Sequence, residues 1–235
     1  MIPPTDKTGS LKSERRRDNQ QWLLDWMVKT TGRTHNFAYD HREIPPEVKT
    51  YRQIPRVMEK TGRHQETIAR AAEKAGHRQS ACELYYKACE NYRIAQHAIF
   101  VDDHPDKIYL HGKLLESFEG CMRTADYPIE RVEIDWEGVQ IQCNFHKVPG
   151  AKNLPTILSI PGMDQTKEAV PDPSNNLFIK RGMNVLAVDG PGQGTSNLRK
   201  IRVTADNHER ATRACIDWLT QQPEVDAARI GVMGI

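Results

Sequence analysis

No window of this chain approaches the roughly 18 consecutive apolar residues that a membrane-spanning helix needs, so no membrane association is expected. The stretch from Met1 to Asn19 is polar and holds no apolar core, which argues against a secretory leader. No C-x-x-C pair occurs. The five cysteines, Cys82, Cys89, Cys121, Cys143 and Cys215, are odd in number, and free thiols in a reducing cytoplasm are the simplest reading. Cys82 and Cys89 lie seven apart and read as packing residues on one helix face rather than as metal ligands. Asp102-Asp103-His104 is too tightly spaced to converge on one ion and no second cluster accompanies it, so it reads as a helix-ending loop and no metal is expected. Charge of one sign is also lacking: the net value is +2. The only basic cluster, Lys12 to Arg17, has no interleaved aromatics and reads as a solvated tail, so no nucleic-acid partner is expected. No internal repeat is evident.

What is present is a chain of 235 residues, 38% hydrophobic and 27% charged, suited to one large or two small globular domains. Residues 1 to 128 read as almost wholly helical. Asp18 is placed to cap a helix over Gln20–Thr31 with Trp22, Leu23, Trp26 and Met27 on one stripe. Pro45-Pro46, Pro55 and Gly62 punctuate the next stretch into short pieces, and a helix from His64 to Ala75 ends at Gly76. Ser80 with Glu83 reads as a capping box opening a long helix whose face carries Leu84, Tyr85, Ala88, Tyr92, Ala95 and Ile99. Asp102 to Pro105 ends it, and another helix follows over 106–123. Tyr85, Tyr86, Tyr92 and Phe100 are either core or the lining of a substrate pocket.

Near Pro128 the period changes. Val132, Ile134 and Trp136 alternate with charged residues, Glu137-Gly138 marks a turn, and Val139, Ile141, Cys143 and Phe145 alternate again. This predicts a hairpin with one buried face. Three continuous apolar runs follow, Pro155–Ile160, Gly182–Asp189 and Arg229–Gly234, as suits parallel strands covered on both faces. The segments between them have room for crossover helices: one ending over 174–181, the other spanning 205–221 with Ala211, Cys215, Trp218 and Leu219 on a stripe. Asp189-Gly-Pro-Gly-Gln-Gly194 is phosphate-loop-like only on the surface. It has neither G-x-G-x-x-G nor a following Gly-Lys-Ser/Thr, and it reads as a tight turn beside a site. His208 is expected at a surface helix start.

Three ordered blocks carry a resemblance: Ile160-Pro-Gly-Met-Asp-Gln-Thr-Lys-Glu168, Asp189-Gly-Pro-Gly-Gln-Gly194 and Arg229-Ile-Gly-Val-Met-Gly-Ile235. Together with Ala75–Ala88 they resemble the α/β-hydrolase superfamily, in the group of 2,6-dihydroxypseudooxynicotine hydrolase and the fermentation–respiration switch esterases. The resemblance implies the first half of an α/β-hydrolase sheet over residues 129–235, preceded by a helical cap domain over 1–128 with a mobile N-terminal tail. Where many members have His-Gly-Gly after the third strand, this chain has Ile160-Pro161-Gly162.

The activity implied is that of a serine hydrolase acting on an ester, or on an activated C–C bond of the β-diketone kind, through an acyl-enzyme. A small-molecule substrate, no cofactor, a cytoplasmic location and a possible homodimer of the complete form go with it. The backbone N–H groups of Gly162 and Met163 are the expected oxyanion donors, and Asp164, Lys167, Glu168 and Asp189 the active-site loop. Asp164, Lys167 and Glu168 either orient substrate or pin the loop, or else they supply acidic polarity to a helix N-terminus. The nucleophile is expected immediately after Ile235, with the acid and histidine further on, so these 235 residues are expected to be inactive alone. The alternative is a degenerate, non-catalytic remnant that at most binds ligands or a partner.

Overall fold

The computed structural model describes residues 45, 47, 48, 50–162 and 164–234. The helix expected over 20–31, its Asp18 cap and its apolar stripe lie outside the described residues, as do Met163 and Ile235.

Three long helices come first. Helix α1, Ile54–Lys74, opens with Pro55 in its first turn, where a missing N–H leaves no bond unmade. Gly62 does not break it, contrary to the punctuation expected there. A side chain at 62 would press on the Tyr92 ring and the Ala88 carbonyl at 3.2–3.3 Å, so the glycine permits close packing against the next helix. Helix α2, Arg78–His97, starts before Ser80, and the expected Ser80–Glu83 box is not formed. His77 is the N-cap residue, and Glu83 instead accepts from Gln79 Nε2 at 2.9 Å. Helix α3, Pro105–Thr124, is capped by His104, whose Nδ1 accepts the Asp106 N–H at 3.1 Å. Helix α2 ends at His97, short of the Ile99 and Asp102 expected from the sequence, and the loop at 102–104 leads into α3.

These helices share one apolar core containing Met58, Tyr85, Tyr92, Leu114 and Phe118. Gly120 of α3 faces Tyr85 so closely that a Cβ there would lie 2.5 Å from the ring. Tyr85 and Tyr92 thus belong to the helical core, and their hydroxyls donate to Glu73 (2.6 Å) and Glu66 (2.8 Å) at its rim. Phe100 is half exposed and stacks on Tyr51.

The sheet begins with the hairpin β1, Ile129–Trp136, and β2, Val139–His146. Its two-residue turn puts Glu137 and Gly138 at φ of 49° and 80°, the primed geometry that matches strand twist. Strand β3 is Leu154–Ile160, β4 is Asn184–Val188 and β5 is Val225–Gly234. The spatial order is β1-β2-β4-β3-β5, with β3 parallel to both β4 and β5. Strand β2 is buried continuously from Ile141 to His146, so both faces are covered rather than the one expected. Cys143 and Phe145 face a core shared with the helix α5, Asn207–Leu219, through Ala211, Cys215 and Leu219.

The first crossover is not an α-helix. Residues 174–181 hold turns and one short 3₁₀ turn, Ile179–Arg181. Asp172 Oδ1 accepts the Ser174 N–H, and Asn176 Oδ1 accepts those of Phe178 and Ile179. These side chains take the amides that a helix would have used. In the second crossover a short helix, α4 (Gly194–Leu198), precedes α5. Among the described residues no helix is long and apolar enough to cross a membrane.

Candidate active site

Ligands in open α/β sheets sit beyond the carboxyl ends of the strands, where the strand order changes direction. Here that point lies at β3: the chain passes to β4 on one side and then to β5 on the other. In register, Ile160 at the end of β3 faces Gly234 at the end of β5. Two loops fill the space beyond, residues 161–169 after β3 and residues 189–194 after β4.

The two loops are joined by buried charge. Lys167, Glu168 and Asp189 have side chains with no exposure. Lys167 Nζ donates to Glu168 Oε1 at 2.8 Å, Asp189 Oδ2 at 2.9 Å and Thr195 Oγ1 at 3.0 Å. Asp189 also receives the backbone N–H groups of Lys167 and Thr195, each at 2.8 Å. Burial alone pulls the Lys167 ammonium down, but the facing Asp189 and Glu168 carboxylates hold its pKa above the ordinary value. Burial likewise pushes Asp189 up, and Lys167 with the two N–H donors brings it below the usual carboxylate value. The triad is a fixed ionic clasp. These contacts tie the loop after β3 to Asp189 at the end of β4. Residues 164–168 form turns and do not begin a helix, so helix polarity has no part in it.

Around the clasp lies a set of neutral polar groups. Thr195 Oγ1 donates to Gln142 Oε1 at 3.2 Å, and His111 Nε2 lies 3.4 Å from the same hydroxyl. Asn144 Nδ2 reaches Glu168 Oε1 at 3.4 Å. Burial lowers the His111 pKa. Sequence reasoning missed Gln142, Asn144, His111, Gln193 and Thr195. A signal existed in β2: Gln140, Gln142, Asn144 and His146 alternate with apolar residues but carry no carboxylate or ammonium, unlike the charged outer positions of β1.

Gln193 forms a second link. Its Oε1 accepts the Gly190 N–H at 3.0 Å, and its Nε2 donates to the carbonyls of Pro161 at 2.5 Å and Gly162 at 3.2 Å. Gly194 has φ of +37°, and a Cβ there would overlap the Asp189 carboxylate. The glycine-rich block thus braces the neighbouring loop, which fits its reading as a tight turn beside a site. His208 is half-buried, with its ring against Gly190, rather than at the open surface expected.

Gly162 N–H points to Gln165 Oε1 at 3.4 Å, a long and weak bond. Asp164 is half-buried and lines a small polar cavity of about 70 Å³ together with Thr166, Gln96, His97 and Lys107. The last three come from α2 and α3, so the cavity lies between the helices and the strand ends. A surface clasp flanks it: Asp102 accepts from Lys107, Asn197 and Arg202, and Asp103 pairs with Lys200. Tyr86 adds a third tie, donating to the Ala169 carbonyl at 2.5 Å. None of Tyr85, Tyr86, Tyr92 and Phe100 lines this cavity.

A mixed sheet of this order, with a braced loop after β3 and a helical layer over the strand ends, is the α/β-hydrolase fold. The comparisons agree and go further. The family model described as Esterase FrsA-like matches residues 30–235, and the chain belongs to that family. It is 29% identical over 159 residues to a 2,6-dihydropseudooxynicotine hydrolase of Paenarthrobacter nicotinovorans, covering 68% of this chain and 42% of the relative. It is 32% identical over 187 residues to the alpha/beta hydrolase gkaG of Penicillium citrinum, covering 74% and 43%. Esterase FrsA of Photobacterium profundum is 22% identical over 169 residues, covering 71% and 39%. The crystal structure of the 2,6-dihydroxy-pseudo-oxynicotine hydrolase superposes with a TM-score of 0.68 at 25% identity, over 88% of this chain and 56% of that one. The chain spans less than half the length of these curated relatives.

Proposed function

We propose that the protein works as a serine-type hydrolase, cleaving an ester or an activated C–C bond of the β-diketone kind through an acyl-enzyme. The observation that carries this reading is the adjacency of Ile160 and Gly234, which brings the loop after β3 beside whatever follows β5. A nucleophile elbow at the end of β5 would present its serine to a carbonyl held over Gly162 and Met163. Attack by the serine Oγ turns the carbonyl oxygen into an oxyanion, which backbone N–H groups of Gly162 and Met163 stabilise. Collapse expels an alkoxide from an ester or an enolate from a diketone, and water then releases the acid. Asp164, beside the polar cavity, is the loop residue available to a substrate; Lys167, Glu168 and Asp189 hold the loop from behind. Residues 1–128 serve as a cap and 129–235 as the first part of the core.

The test is Gly162→Val in the enzyme carrying the serine after β5. A β-branched side chain restricts the backbone and fills the space of the reacting carbonyl, so turnover should fall at least 100-fold, as for loss of one oxyanion donor. Near-normal turnover in a folded variant would reduce Gly162 to a strand terminator.

A further inference from the structure

We infer that Gln193 is a positioning residue for the oxyanion donors, a role that rests on the serine-hydrolase reading above. Its carboxamide makes three hydrogen bonds, all to backbone, and together they bridge the loops after β3 and β4. Two of them end on the carbonyls of Pro161 and Gly162. A trans peptide is planar, with its C=O and N–H pointing in opposite directions. Fixing the Pro161 carbonyl therefore fixes the direction of the Gly162 N–H.

The Gly162 carbonyl accepts a second bond, from the Gln165 N–H at 3.0 Å, so its plane is held from two sides. Gln193 is itself buried, and its amide cannot rotate to an alternative partner without losing the Gly190 bond. Behind it, the Asp189 carboxylate locks the N–H of Thr195 and so fixes where the 193–195 segment lies. No atom of Gln193 needs to meet substrate. It acts through the peptide planes, which must be aimed before the oxyanion forms if they are to favour the transition state over the ground state.

The substitution Gln193→Met keeps the length and removes donor and acceptor. Gln193→Glu keeps the acceptor for Gly190 and removes the donor to the carbonyls. In the serine-bearing enzyme both should lower kcat by about 10- to 100-fold with KM within about twofold, somewhat less than outright loss of a donor. Affinity for a boronic acid that forms a tetrahedral adduct should fall in step with kcat. Amide hydrogen exchange at 162 should quicken in both variants, a readout that needs no reaction. Unchanged exchange, or a kcat within twofold of the parent, would overturn the proposal, as would an equal loss through KM. Absence of any fluorophosphonate labelling in the parent would remove the serine-hydrolase reading and with it the catalytic role of the brace. The exchange measurement would still report on the loop itself.

Discussion

The helical layer and the strand-end loops handle polar groups in opposite ways. In the helices the core is mainly apolar and most of the ions stand at its rim, with the buried Arg93 paired to Glu90 at 2.7 Å. Glu66 meets Arg70 at 2.5 Å and Lys113 at 3.0 Å, with Arg70 half exposed. Glu73 pairs with Arg123, also half exposed. Even the tyrosines send only their hydroxyls to that rim, and burial beside Glu73 pushes the Tyr85 phenol up to about 12. At the strand ends the ions are inside, with Lys167, Glu168 and Asp189 sealed from water. Placing charge there costs desolvation that an apolar trio would avoid. What the arrangement gains is a loop held in one geometry. The comparison therefore separates ions whose loss is cushioned by nearby water and spare partners from ions that a sealed loop cannot lose singly.

The largest expected effect is on the clasp. Lys167→Met leaves two carboxylates buried without a countercharge, which costs about 3–5 kcal/mol in the general case of a broken buried pair. The matching change at the rim, Lys113→Met, should cost about 1 kcal/mol or less, because Glu66 keeps Arg70 and Tyr92 as partners and Glu116 is exposed. Urea unfolding of both variants measures the contrast. Equal losses would break it.

His146 gives a pH test of the same boundary. Its Nδ1 lies 3.0 Å from the Tyr127 hydroxyl, which accepts from Asn176 Nδ2, while its Nε2 has no partner. Burial depresses its pKa to about 3. The folded pKa lies below the unfolded value near 6.5, so the unfolded chain binds the extra proton between those limits. The contribution is complete above pH 6.5 and is lost as pH falls toward 3. The expected loss is about 2 kcal/mol at pH 5. His146→Phe should remove that slope from a plot of unfolding free energy against pH, and a slope unchanged by the substitution would place the acid sensitivity elsewhere.

A smaller effect belongs to the apolar side. Gly120→Ala brings a methyl group 2.5 Å from the Tyr85 ring. Overpacking of this kind costs about 1–3 kcal/mol. It should lower the melting temperature while leaving amide exchange at 162 unchanged, since the strain stays among the helices. A change in that exchange would show that the two regions are coupled more tightly than their contacts imply.

The hairpin, the three parallel-type strands and the helix over 207–219 were legible because hydrophobic period and glycine turns decide them locally. Helix ends were less so. Gly62 breaks a helix by propensity, but its contact with Tyr92 decides otherwise, and that contact is 30 residues away in sequence. The first crossover failed as a helix because Asp172 and Asn176 take backbone amides, which composition alone does not announce. The loop residues Lys167, Glu168 and Asp189 were picked out by their blocks, but their depth was not. Gln193 was hidden inside a glycine-rich turn, since a carboxamide gives no sign in sequence of the carbonyls it will meet.

The most direct measurement is the position of covalent labelling by a fluorophosphonate, read by peptide mass spectrometry in the enzyme that continues past β5. On the serine-hydrolase proposal one adduct is expected, on a serine placed directly after β5, and none on a serine within the described residues. Stoichiometric labelling of a serine within them, such as Ser159 or Ser196, with matching ester turnover, would contradict it.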